Sequence, residues 1–208
     1  MRLRIIFSKT EAMRYTGHLD LYRTWERTLR RANLPLAYSQ GFKPHPRLTL
    51  ASALPLGFTS QAEVMDVWLE NNLPIDQVER ALLRALPPGL QVEQISQVET
   101  QAPGLQARLV AAEYLVTLNQ PYSDLDARLE KVLSVASLPR ERRGKPYDLR
   151  PLILDLQRQT DDPEGCQRIL MRLSAREGAT GRPEEVLLCA NIDPLAACIH
   201  RTGLNFVD

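Results

Sequence analysis

Two hydrophobic periods alternate along the first hundred residues, and their order leaves few folds open. Residues 3–8 alternate behind Arg2 and Arg4 and are rich in Ile and Phe, which predicts a strand. Residues 18–32 switch to three- and four-residue steps, through Leu19, Tyr22, Trp25, Leu29 and Ala32 or through Leu21, Trp25, Thr28 and Ala32, which predicts a helix. Asn33 and Pro35 end it. Short strand-like runs follow at 36–39 and 48–53, then an alternating strand at 64–70. A second helix is predicted over 74–86, with Ile75, Val78, Leu82 and Leu86 on one face and Pro87-Pro88-Gly89 as its stop. Residues 90–98 alternate again.

Beyond a polar segment at 100–106, read as a hinge, the same order returns more weakly. Strands are predicted at 107–118, 147–156, 166–174 and 197–207, with helices at 123–136 and 183–190. The prediction is an α+β chain of two ferredoxin-like (βαββαβ) halves with antiparallel sheets. They form domains over 1–99 and 107–208, duplicated in element order and not in residues. Trp25 and Leu29 belong to the first core.

The stretch 34–63 fits this scheme least, being broken by Pro35, Pro44, Pro46 and Pro55 and by Gly41 and Gly57. Its segment Gly41-Phe42-Lys43-Pro44-His45-Pro46-Arg47 sets a ring and an imidazole among cations, the composition of a nucleic-acid contact. Charge distribution points the same way. The chain carries +1 overall, yet residues 1–47 carry +7, 48–138 carry −6, 139–150 carry +3 and 151–208 carry −3. Arg23, Arg27, Arg30 and Arg31 fall on or beside the helix face opposite the apolar stripe, where guanidinium groups suit phosphate. Arg142, Arg143 and Lys145 form a second basic run, read otherwise as a flexible loop tip. The expected RNA-binding set is Arg23, Arg27, Arg30, Arg31, Phe42, Lys43, His45, Arg47, Arg142, Arg143 and Lys145.

Little in the sequence points to chemistry. His18 and His45 are the catalytic candidates, but neither spacing supplies a partner for acid–base work. Cys166, Cys189 and Cys198 match no metal or disulfide spacing and read as reduced thiols of a cytoplasmic protein. There is no phosphate-binding Walker loop, no dinucleotide fingerprint and no nucleophile elbow, so no metal and no cofactor is expected. MRLRIIFSK reads as a strand and not as a signal peptide, and no apolar run approaches the roughly 20 residues of a membrane span.

Tyr15-Thr16-Gly17-His18-Leu19-Asp20, Arg30-Arg31-Ala32, Leu34-Pro35, Tyr38-Ser39-Gln40-Gly41-Phe42-Lys43-Pro44-His45-Pro46 and Leu54-Pro55-Leu56-Gly57, with Ser60 and Glu63, resemble a radical SAM-linked family of uncharacterised bacterial proteins. Tyr147-Asp148-Leu149-Arg150-Pro151 and Arg182-Pro183-Glu184-Glu185-Val186-Leu187 resemble its later motifs. The resemblance implies a cobalamin-binding radical SAM protein as partner, fused or encoded alongside. The chain lacks a Cys-x3-Cys-x2-Cys motif, so the resemblance does not make it that enzyme. A remoter likeness in architecture and charge is to CRISPR repeat-processing endonucleases. The expectation is a non-catalytic RNA-binding accessory module that presents a structured RNA, tRNA or rRNA, to that partner for modification or processing. The alternatives are a metal-independent ribonuclease using His18 or His45, or a purely protein-binding adaptor.

Overall fold

Alternation in the first eight residues after Met1 produces a strand with two unlike faces. In β1 (Arg2–Lys9) Leu3, Ile5 and Phe7 are fully buried on one face. Arg2 and Arg4 lie on the other, beside Asp66 of β3 (Thr59–Trp68). The computed structural model describes residues 1–207 and divides into two compact units, Met1–Arg108 and Leu109–Val207. Both are α+β with antiparallel strand pairing.

In the first unit β3 pairs with β1 and with the short β2 (Leu48–Leu50), and β1 pairs with β4 (Leu90–Val98), giving the order β4-β1-β3-β2. Between strands run α1 (His18–Arg31) and α2 (Ile75–Ala85). The core stripe of α1 is Leu21, Trp25, Thr28 and Leu29, all at most 1% exposed, whereas Leu19 is 70% exposed and stands outside it. The ring of Trp25 meets that of Phe7 edge-on at 4.8 Å between centroids. Asn33, with φ 53°, takes the left-handed position that closes a helix. On α2, Val78, Leu82 and Ala85 are buried, while Ile75, at 37% exposed, falls off the expected face. At Gly89 (φ +93°) a Cβ would lie 2.4 Å from Met13 Cγ, so the turn into β4 admits no side chain.

The expected strand at 36–39 is reduced to isolated bridges, Leu36 with Leu69 and Tyr38 with Pro46. Prolines remove the amide donors a longer ladder needs. The expected hinge at 100–106 is docked on the first unit. Arg2 donates to the carbonyls of Glu99, Ala102 and Pro103, Gln106 Nε2 donates to Leu50 O, and Leu105 at the start of α3 (Leu105–Arg108) is 1% exposed. The unit boundary therefore falls after Arg108.

In the second unit β5 (Leu109–Leu118) lies between β9 (Arg168–Arg176) and β11 (Ala197–Phe206). Both β8 (Ile153–Gln159) and the two-residue β10 (Ala179–Thr180) pair with β9. Helices α4 (Leu125–Ser134) and α5 (Pro183–Cys189) complete it. The expected strand at 147–156 is split. Its first part becomes β7 (Lys145–Asp148), paired with β6 (Pro139–Arg142) in a separate hairpin. A 3-10 turn at Arg150–Leu152, with Pro151 inside it, separates β7 from β8.

Candidate nucleic-acid interface

Charge counted along a chain overstates charge available at a surface, and the first unit shows by how much. Arg2 and Arg4 are committed to Asp66, at 2.6 and 2.9 Å. Lys9 is fully buried, and its Nζ donates to the carbonyls of Arg14 (3.1 Å) and Phe58 (2.9 Å). Arg14 Nε donates to Gly57 O at 3.0 Å, and Gly57 N returns a bond to Arg14 O. Arg31 leaves the expected ridge, because its Nη2 donates to Ala85 O and satisfies a last-turn carbonyl of α2. The remaining helix cations, Arg23, Arg27 and Arg30, stand at i, i+4 and i+7 on one exposed face. Arg23 pairs with Asp20 at 3.4 Å, and Arg27 and Arg30 make no ion pair among the described residues.

The Gly41 to Arg47 segment forms a projecting loop with a closed base. Ser39 N donates to His45 O (2.8 Å) and His45 N to Ser39 Oγ (3.0 Å), next to the Tyr38–Pro46 bridge. Arg47 N donates to Ala37 O, and Arg47 O accepts from Trp68 N, so the base is tied to β3. The guanidinium of Arg47 lies over the Trp68 ring at 4.9 Å, and that of Arg2 approaches the same ring at 5.0 Å. Arg47 is therefore partly spent on structure. At the tip Phe42 is fully exposed and Lys43 makes no ion pair among the described residues. His45 is exposed beside them, while His18 is half-buried at the first turn of α1, so the two catalytic candidates occupy different settings.

The second basic run is an ordered structure. Arg143 (φ 52°) and Gly144 (φ 74°) form the two-residue turn between β6 and β7, with both φ positive as the right-handed twist of a tight hairpin requires. The base of the hairpin is held by Asp148, whose Oδ1 accepts from Leu138 N (2.7 Å) and Arg150 N (3.0 Å). The Leu138 amide, then that of Arg150, holds this carboxyl below the usual carboxylate range. One side of the hairpin is fastened to α5: Arg140 Nη2 donates to Glu185 O and Cys189 Sγ, and Arg142 Nη2 lies 3.3 Å from Glu185 Oε1.

Residues 2–183 match the family model described as "Uncharacterized protein conserved in bacteria (DUF2344)". The chain belongs to this family. The DUF2344 match takes in α1, the projecting loop and the whole β6–β7 hairpin. No curated protein sequence matches the chain. Among solved structures it is similar to a chain of "Crystal Structure of a Cbf5-Nop10-Gar1 Complex", at 9% identity and a TM-score of 0.48. That likeness covers 99% of this chain and 48% of the other, so the DUF2344 chain spans about half the length of the chain it resembles. It is also similar to "Crystal structure of putative glycine cleavage system transcriptional repressor", at 13% identity and a TM-score of 0.25, covering 100% and 97% of the two chains. No described helix is long and apolar enough to cross a membrane.

On its other side the DUF2344 hairpin walls a cavity of about 540 Å³. Arg142, Arg143, Lys145 and Arg182 all line it, beside Tyr147 and Thr180, and no carboxylate does among the described residues. Arg142 is fixed there by stacking on Tyr147 (4.8 Å) and by donating to Thr180 O (3.1 Å). Arg182, immediately before α5, is the cation that the sequence reading missed as a site residue. Its distance along the chain from the 140s hides its place beside them.

Proposed function

We propose that the chain is an RNA-binding accessory module, without chemistry of its own, that serves a radical SAM partner in tRNA or rRNA modification or processing. The observation that carries this reading is the same in each unit: an aromatic ring at least partly open to solvent adjoins cations that make no ion pair among the described residues. In the first unit the ring is Phe42, with Lys43 next to it at the loop tip, and the same unit exposes Arg27 and Arg30 on α1. In the second it is Tyr147, with Arg143, Lys145 and Arg182. Rings stack bases without regard to sequence, and guanidinium and ammonium groups hold phosphates.

The strand orders support reading each unit as one ferredoxin-like module. In the first, β1 and β2 flank β3 while β3 and β4 flank β1. In the second, β5, β8, β9 and β11 stand in the same relation. The radical SAM partner rests on the resemblance of the motifs. A protein contact has support of its own in Tyr15 and Leu56, 77% and 63% exposed on either side of the Arg14–Gly57 hydrogen bonds.

The test is the affinity of the purified chain for single-stranded RNA across a salt series. Log affinity should fall against log salt by roughly 0.7 per phosphate neutralised. Replacing Arg27 and Arg30 by Ala should flatten the slope by about one to two units if each meets a phosphate. Phe42→Ala should weaken binding by about 1–3 kcal/mol with the slope nearly unchanged. Binding to no RNA, with capture of a radical SAM protein alone, would leave the adaptor reading in its place.

A further inference from the structure

We infer that the cavity beside the β6–β7 hairpin receives the terminal phosphate of an RNA strand, a phosphomonoester, in preference to an internal phosphodiester; this rests on the RNA-binding reading above. The first ground is charge. Of the four cations lining the cavity, Arg142 is compensated by Glu185 at 3.3 Å. Arg143, Lys145 and Arg182 make no ion pair among the described residues, so three like charges share one concavity. All three are exposed, so an anion entering the concavity meets them together. An internal phosphodiester brings a single charge, whereas a phosphomonoester carries about 1.5 to 2 negative charges at pH 7 and three acceptor oxygens. The fork of a guanidinium binds two of those oxygens at once.

The second ground is conformational. Arg143 occupies a left-handed turn position (φ 52°) where Asn, Asp or Gly fits without strain. A long β-substituted side chain is unfavourable there. The strained residue is one of three, with Arg142 and Arg182, that bring a guanidinium to the cavity, the association expected where strain serves binding. The third ground is shape. Arg142 lies over the Tyr147 ring and bonds Thr180 O, so one wall is fixed before any ligand arrives. About 540 Å³ accommodates a ligand the size of one nucleotide.

The experiment compares one short single-stranded RNA carrying a 5′-phosphate, a 3′-phosphate or hydroxyls at both ends, with the full chain, by fluorescence anisotropy. Inorganic phosphate and a nucleoside monophosphate serve as competitors. One phosphorylated end should bind at least about tenfold tighter than the hydroxyl form, the worth of one or more charged hydrogen bonds. That preference should shrink from pH 7 to pH 5.5 as the monoester loses its second charge near pH 6. Arg143→Gly should abolish the preference without lowering the melting temperature, because Gly is unstrained at that φ. The Lys145→Gln/Arg182→Gln pair, which touches no turn position, should do the same. Equal affinity for all three oligonucleotides would overturn the inference and leave the RNA reading standing. A preference that survives both variants would also overturn it, by placing the phosphate elsewhere. Binding of the free nucleotide with no binding of any oligonucleotide would overturn both.

Discussion

Replacing Asp66 by Ala should lower the stability of the first unit by about 3–5 kcal/mol, the usual result of removing one partner of a buried ion pair. The side chain of Asp66 is 1% exposed, and both of its oxygens are taken. Arg2 bonds Oδ2 through Nε (3.1 Å) and Nη2 (2.6 Å), while Arg4 bonds Oδ1 through Nε at 2.9 Å. Arg2 is itself only 2% exposed, so without Asp66 its charge stays buried and unmatched. Urea denaturation with the slope held in common measures the loss. The pair Arg2→Met/Asp66→Leu removes both charges and should recover part of it. Recovery should be incomplete, because Arg2 also supplies donors to the carbonyls of Glu99, Ala102 and Pro103. An Asp66→Ala protein within 1 kcal/mol of wild type would show that the charges of this cluster are hydrated rather than buried.

Trp25→Ala should cost a comparable amount, about 3–5 kcal/mol, for a different reason. Trp25 is fully buried against Phe7, and truncation leaves a cavity between α1 and the sheet. Its Nε1 is buried with no acceptor among the described residues, so the indole is valued there for shape and not for its donor. Trp25→Phe should therefore cost much less than Trp25→Ala, since it gives up an unsatisfied N–H along with some volume. Measured melting curves that place Phe and Ala together would show that the indole nitrogen has a partner after all. Because Arg23, Arg27 and Arg30 ride on the same helix, Trp25→Ala should also weaken RNA binding through α1 while sparing the hairpin cavity.

Much of the architecture was legible because it depends on period. β1, α1, α2, β4 and β11 fall within about two residues of their expected limits; β1, α1 and α2 each have one apolar face repeating at a fixed step, while register shifts interrupt the pairing of β4 and β11. What failed depends on single donors and on distant partners. A one-residue ambiguity in the helix phase left open whether Leu19 or Leu21 faced the core, and only packing against Phe7 decides it. The 36–39 run looks like a strand, but Pro35 before it and Pro46 opposite Tyr38 deny it a ladder. The polar 100–106 segment reads as a hinge because its anchor, Arg2, lies a hundred residues earlier. The 139–150 run was read as basic and pliable, yet an Arg-Gly turn is a weak form of the Asn-Gly hairpin signal, and the order it creates was legible in principle.

The candidate site was legible in kind more than in membership. Residue types identified a basic, ring-bearing surface, and Phe42 and Lys43 stand exposed at a loop tip as such residues must. Sequence could not tell which cations are consumed by the fold. Arg31 serves a carbonyl of α2, Arg47 rests on Trp68, and Arg142 is divided between Glu185 and Tyr147. Nor could it bring Arg182 to the hairpin cavity, because that neighbourhood is created by β9, β10 and the turn between them.

Photocrosslinking of bound single-stranded RNA carrying 4-thiouridine, followed by peptide mass spectrometry, tests the central claim most directly. Stacked bases crosslink to the rings they touch. The account predicts adducts on peptides containing Phe42 and Tyr147, reduced by Phe42→Ala at the first and by Lys145→Gln/Arg182→Gln at the second. Adducts confined to other surfaces, or none at RNA concentrations well above those needed for nonspecific binding, would contradict it.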